Sequence, residues 1–124
     1  MAHGPRAPRE ARRIARGVLE EAWRVGGETV DAMLLVVSEL VTNAVEHARP
    51  HLSLRLHREH ADRRIWISLT DGGPAAREGA WTASCAADEH GRGMAVIAAL
   101  SAAHGTSTHP DGRATHWACL RTPA

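Results

Sequence analysis

Glu39, Asn43 and His47 stand at positions i, i+4 and i+8 of one stretch of the chain, a spacing that on a helix sets them along a single ridge. Ser38, Thr42 and Glu46 form a parallel ridge beside it. A carboxylate and an amide oxygen one helical turn apart are hard donors of the kind that hold magnesium and its waters. The plainer alternative is an amphipathic helix whose polar arc meets water. Against it stand the absence of Arg between Arg24 and Arg49, in a chain that uses Arg freely elsewhere, and the placing of an uncharged amide between an acid and an imidazole. A second candidate is Asp71-Gly72-Gly73, where a carboxylate can accept hydrogen bonds from a ligand and glycine lets a backbone approach closely; a simple tight turn is the other reading. The third, Gly91-Arg92-Gly93, precedes a helical run, and the free N–H groups and dipole of a helix start favour phosphate. It is not a dinucleotide fingerprint, because Val96 holds the third glycine position and a long loop precedes it.

These groups need elements to hold them. Residues 1–8 are rich in Pro, Gly and Ala and read as a flexible N-terminal tail, leaving 9–124 as one domain. Ala11, Ile14, Ala15, Val18, Leu19, Ala22 and Trp23 recur at helical spacing until Gly26-Gly27 stops them. Thr29 reads as an N-cap, with Asp31 in the first turn, for a longer helix that runs to about His47 before Pro50. Leu52, Leu54 and Leu56, and then Ile65, Ile67 and Leu69, alternate with polar residues and predict two antiparallel strands around a polar turn. Residues 75–90 read as a long loop or lid. A helix is expected from Met94 to about Ala103, closed by Gly105, followed by a hairpin of 106–109 and 114–121 around Pro110-Asp111-Gly112-Arg113. The sum is an α+β fold, a two-layer α/β sandwich with helices on one face of a mixed, mostly antiparallel sheet.

Composition narrows the chemistry. The 15 basic and 14 acidic residues nearly cancel, so no overall charge calls for nucleic acid or an anionic membrane. Every basic residue is Arg; without Lys the chain has neither a Walker-type P-loop nor a Schiff-base amine. Phosphate must be handled by Arg, backbone N–H groups or a metal. Cys85 and Cys119 lie outside metal-ligand spacing; of the nine His residues only His57 and His60 lie close together, flanking a hairpin turn, and they read as solvated surface groups rather than a zinc site. No run approaches the length of a membrane span and the start lacks a signal-peptide pattern, so cytoplasmic residence is the expectation.

In order and spacing, Glu39-Leu-Val-Thr-Asn43-Ala-Val-Glu-His47, Asp71-Gly72-Gly73 and Gly91-Arg92-Gly93-Met94 resemble the N, G1 and G2 boxes of the GHKL ATPases. The phrase Val-Val-Ser-Glu-Leu-Val-Thr-Asn-Ala-Val, from Val36 to Val45, is most similar to the anti-sigma-factor serine/threonine kinases and the small single-domain ATP-binding proteins of actinobacteria. The resemblance implies a GHKL-type sandwich that binds ATP and Mg2+. It implies Asn43 as the magnesium ligand and Glu39 as the catalytic carboxylate that orients or deprotonates the attacking hydroxyl. Asp71 would accept the adenine amino group, Gly73 would let the base lie against the backbone, and Thr115 would support Asp71 by a hydrogen bond or water. Gly91 and Gly93 would belong to the lid and phosphate-binding helix start, with Arg92 on phosphate; His47 receives no role. The implied partners are an anti-anti-sigma protein of the STAS type and a sigma factor, with a homodimer as a further candidate. A non-catalytic ATP-binding module and a detached histidine-kinase-type catalytic domain are the alternatives. The chain departs from the family pattern in carrying Ala75 after Pro74, where the G1 box has its second glycine, and in showing no strand within residues 1–8.

Overall fold

The computed structural model describes residues 1, 3–75 and 94–122. Small apolar residues at every fourth position, Ala7, Ala11 and Ala15, are fully buried and let the first helix, α1 (Ala7–Arg16), lie close against the second, α2 (Gly27–His47). Between them Gly17–Ala22 forms a wider π-helical turn, in which the Trp23 amide donates to the Val18 carbonyl and Leu19 is buried. Helix α2 packs on one side against α1 and on the other against the sheet, so it is buried around much of its circumference: Val30, Met33, Val36, Val37, Val41 and Ala44 all lie in the core. Each large aliphatic side chain so enclosed contributes roughly 1.5–3 kcal/mol relative to exposure. Thr29 does not cap this helix. Gly26, in an extended conformation, occupies the N-cap position without a side-chain bond, and Thr29 is buried inside the first turn.

Among the described residues the sheet has four strands, β1 (Ser53–Glu59), β2 (Arg64–Asp71), β3 (Ala103–Thr108) and β4 (Ala114–Arg121), in the order β1-β2-β4-β3. Every pairing among them is antiparallel, so the described part of the expected mixed sheet contains no parallel pair. Strand alternation sends Ile65, Ile67, Leu69 and Asp71 of β2, with Ala114, His116, Ala118 and Leu120 of β4, to the helix side. Trp66 and Trp117 occupy the opposite face, their ring centroids 5.6 Å apart. Cys119 shares that face, and burial pushes its thiol above the usual range. A third helix, α3 (94–100), adds Ile97 to the core. Helices on one face of an antiparallel sheet make an α+β sandwich of the GHKL type.

The first residues are anchored in the structure. The Met1 amine donates to the Leu52 carbonyl, and His3 Nε2 lies 2.9 Å from the Ala48 carbonyl and 3.3 Å from that of Ala44. Both partners only accept, so Nε2 carries the proton; the Ala44 carbonyl also accepts the Ala48 amide, and His3 adds a second donor to the end of α2.

Gly105 does not close a helix. Helix α3 ends at residue 100, and Gly105 lies within β3, opposite Trp117, where an added Cβ would come within 2.7 Å of the indole Cζ2. Glycine is required there by the space the ring occupies. Gly105→Ala is therefore expected to lower stability by about 1–3 kcal/mol, as overpacking does, read as a reduced midpoint in urea denaturation. An unchanged midpoint would mean that Trp117 does not pack over this position.

Candidate functional site

The connection after α2 and the connection after β2 are stitched together by backbone hydrogen bonds. Arg49 donates to the Gly73 carbonyl, Gly72 to that of Arg49, and Ala75 to that of His47, at 2.8–3.0 Å, beside an isolated bridge between Ala48 and Pro74. The C-terminal turns of α2 are thereby fixed against the end of β2. Two glycines make the junction sterically possible. A Cβ at Gly72 would collide with the Pro50 carbonyl, and one at Gly73, whose φ is +95°, with that of Gly112. The close approach that Gly73 permits in this structure is thus that of the turn between β3 and β4, and Gly73 is not among the residues that line the cavity described next.

A cavity of about 430 Å³ opens between this junction, β3 and β4, and α3. Leu40, Asn43, Ala44, His47 and Ala48, at i, i+3, i+4, i+7 and i+8 of α2 and its end, form one wall. Asp71 and His116 contribute polar groups from the sheet, and Met94 and Ile97 contribute apolar surface from α3. A mostly apolar enclosure with a few convergent polar groups has the character of a small-molecule site.

Asp71 is 1% exposed. An ionised carboxyl so deep is costly unless hydrogen-bonded, and both oxygens are: Oδ1 accepts from the Gly73 amide at 2.8 Å and Oδ2 from His116 Nε2 at 2.9 Å. A carboxylate oxygen accepts more than one hydrogen bond, so capacity remains for a donor entering the cavity.

Thr115 does not support Asp71. Alternation along β4 turns it to the other face, where its hydroxyl bonds Thr70 Oγ1 at 2.8 Å and His109 Nε2 at 2.7 Å. The neighbouring His116 takes the place expected of Thr115. Asn43 and His47 share the cavity wall, His47 Nε2 lying 3.6 Å from Glu46 Oε2. Glu39 sits one turn before Asn43 on the same ridge, half-buried, and is not among the residues lining the cavity. Gly91, Arg92 and Gly93, and the lid beyond Ala75, lie outside the described residues.

A family model for the histidine kinase-like ATPase domain matches residues 1–116. The chain belongs to that family. This histidine kinase-like ATPase domain is therefore an ATP-binding domain of the GHKL type; no curated protein matches it. Its cavity fits such a ligand on its own terms. It combines a buried acceptor, Asp71, with the amide side chain of Asn43 in the α2 wall. Among the described residues of the ATPase domain, no group of three or more His, Cys, Asp or Glu side chains could hold a metal by itself. No helix among the described residues is long and apolar enough to cross a membrane.

Sequence reasoning passed over His116 and Thr106, and the signal was present. Ala114, His116, Ala118 and Leu120 alternate as a core-facing row, and an imidazole in such a row needs a polar partner on that side.

Proposed function

We propose that this domain is a magnesium-dependent ATP-binding regulator and a serine/threonine protein kinase. Its substrate is a serine on an anti-anti-sigma partner of the STAS type, and in this reading it also sequesters a sigma factor. The observation that carries the nucleotide reading is Asp71: a buried carboxylate, anchored on both oxygens and still facing the cavity, held by backbone bonding beside the amide of Asn43.

In this reading Asp71 accepts the exocyclic amino group of adenine and Asn43 holds magnesium, which when bound neutralises charge on the phosphates. Glu39 receives the proton of the acceptor hydroxyl as the serine oxygen forms its bond to the terminal phosphorus and the bond from that phosphorus to ADP breaks. Half-buried, Glu39 keeps enough access for a hydroxyl brought by another protein. Its absence from the cavity wall also favours a second reading, a module that holds ATP and a partner without transferring phosphate.

The test is calorimetry with ATP in the presence and absence of Mg2+, followed by incubation with γ-labelled ATP and the STAS-type proteins encoded in the same genome. Magnesium-dependent binding and label on one serine are expected. Tight binding with no label on any partner would leave the non-catalytic module, and no binding of ATP would remove both readings.

A further inference from the structure

His116 is the residue that this site adds to the expected set. It stands in the core-facing row of β4, yet its side chain is 34% exposed and lines the cavity. Nε2 meets Asp71 Oδ2 at 2.9 Å, and Nδ1 meets the hydroxyl of Thr106, its register partner on β3, at 3.1 Å. A carboxylate only accepts, so Nε2 carries a proton; in the neutral ring Nδ1 then accepts the Thr106 hydroxyl proton. The result is a hydrogen-bonded line across β3, β4 and β2 that ends on the acceptor carboxylate.

That line constrains the carboxylate. The Gly73 amide alone would hold Oδ1 and leave the group free to turn about that bond; a second donor on Oδ2 fixes its plane. With one acceptor position of Oδ2 taken by the imidazole, what remains for the cavity is an acceptor in a set direction. A purine with a 6-amino group can donate to it. A 6-oxo purine brings a second acceptor, and a purine without a substituent there brings nothing.

We propose that His116 is the positioning residue that makes this pocket selective for 6-aminopurine nucleotides, acting through Asp71 and itself oriented by Thr106. The proposal rests on the reading of Asp71 as the base acceptor. A site built to hydrogen-bond a group rejects analogues lacking it, and the selectivity here depends on the carboxylate being held in place.

The experiment compares two probes, ATP and purine riboside triphosphate, which lacks the amino group, by calorimetry on the whole chain with Mg2+. The wild type is expected to prefer ATP by about 10- to 100-fold, the scale of one such hydrogen bond to a charged acceptor. In His116→Ala the preference should fall to about threefold or less through loss of ATP affinity. His116→Asn, whose amide is too short to reach Asp71, should behave alike and serves if the alanine variant does not fold. His116→Gln, whose amide nitrogen can stand near the position of Nε2, should restore most of the preference. Equal weakening of both triphosphates would make His116 merely structural and overturn the proposal, as would a preference that survives in His116→Ala and His116→Asn. A wild type that binds ATP without preference would remove Asp71 as the reader of the amino group, and the role of His116 with it. A wild type that binds neither triphosphate would instead refute the nucleotide reading of the pocket.

Discussion

Glu39→Ala is expected to reduce phosphoryl transfer to the serine partner by about 10²- to 10⁴-fold while changing ATP affinity much less, since that is the usual contribution of a general base. The half-buried carboxylate lies on the polar side of α2 outside the cavity wall, so its removal opens no core space and the fold should be spared. Asn43→Ala is the contrasting variant. Asn43 lines the cavity, and if its amide holds magnesium, its loss should abolish magnesium-dependent ATP binding, with transfer lost as a consequence. Binding by calorimetry, transfer by label incorporation and folding by circular dichroism separate the two. Full activity in Glu39→Ala would assign its carboxylate to the solvated face of the helix.

Asp71→Asn should weaken ATP by about 2 kcal/mol, roughly 30-fold, because the cavity loses its acceptor for the base. The geometry argues that the fold survives. The remaining amide oxygen can still accept from Gly73, while the new NH2 faces His116, which can offer an unprotonated Nε2 if the ring changes tautomer and Thr106 accepts from Nδ1. The amide then points donors where the adenine amino group also needs an acceptor. Calorimetry with ATP and a thermal melt measure the two effects. An unchanged affinity would take Asp71 out of base recognition.

Where one face of an element is buried, the sequence was readable. The alternation of Leu52, Leu54 and Leu56 and of Ile65, Ile67 and Leu69 marked β1 and β2, because a strand with one buried face cannot shift by a residue without exposing its apolar set. The polar ridge of α2 likewise pointed to Asn43 and His47, which the cavity wall contains. What stayed hidden depends on contacts between residues far apart in the chain. Gly105 resembles a helix stop in isolation; it is a strand residue because Trp117 lies across it. Gly73 resembles a point of ligand approach, and its constraint comes from the Gly112 carbonyl nearly forty residues away along the chain. Thr115 and His116 differ in role through strand phase, which is set by the pairing of Asp71 with Ala114. A motif assigns the threonine to the acid, while the pleat decides which of two neighbours meets it.

The π turn at Gly17–Ala22 is a correction of phase. A row of side chains at every fourth position, as Ala7, Ala11, Ala15 and Leu19 are, drifts by about 40° per step around an α-helix of 3.6 residues per turn. Over such a row the buried line would wind off the surface of α2. A turn whose hydrogen bonds span five residues instead of four rotates less per residue, and so takes back part of that drift just where Leu19 must enter the core. The chain thereby spends one residue more than an α-turn needs to keep a straight seam between two helices. The Trp23 amide, bonded to Val18, marks where the extra residue is absorbed.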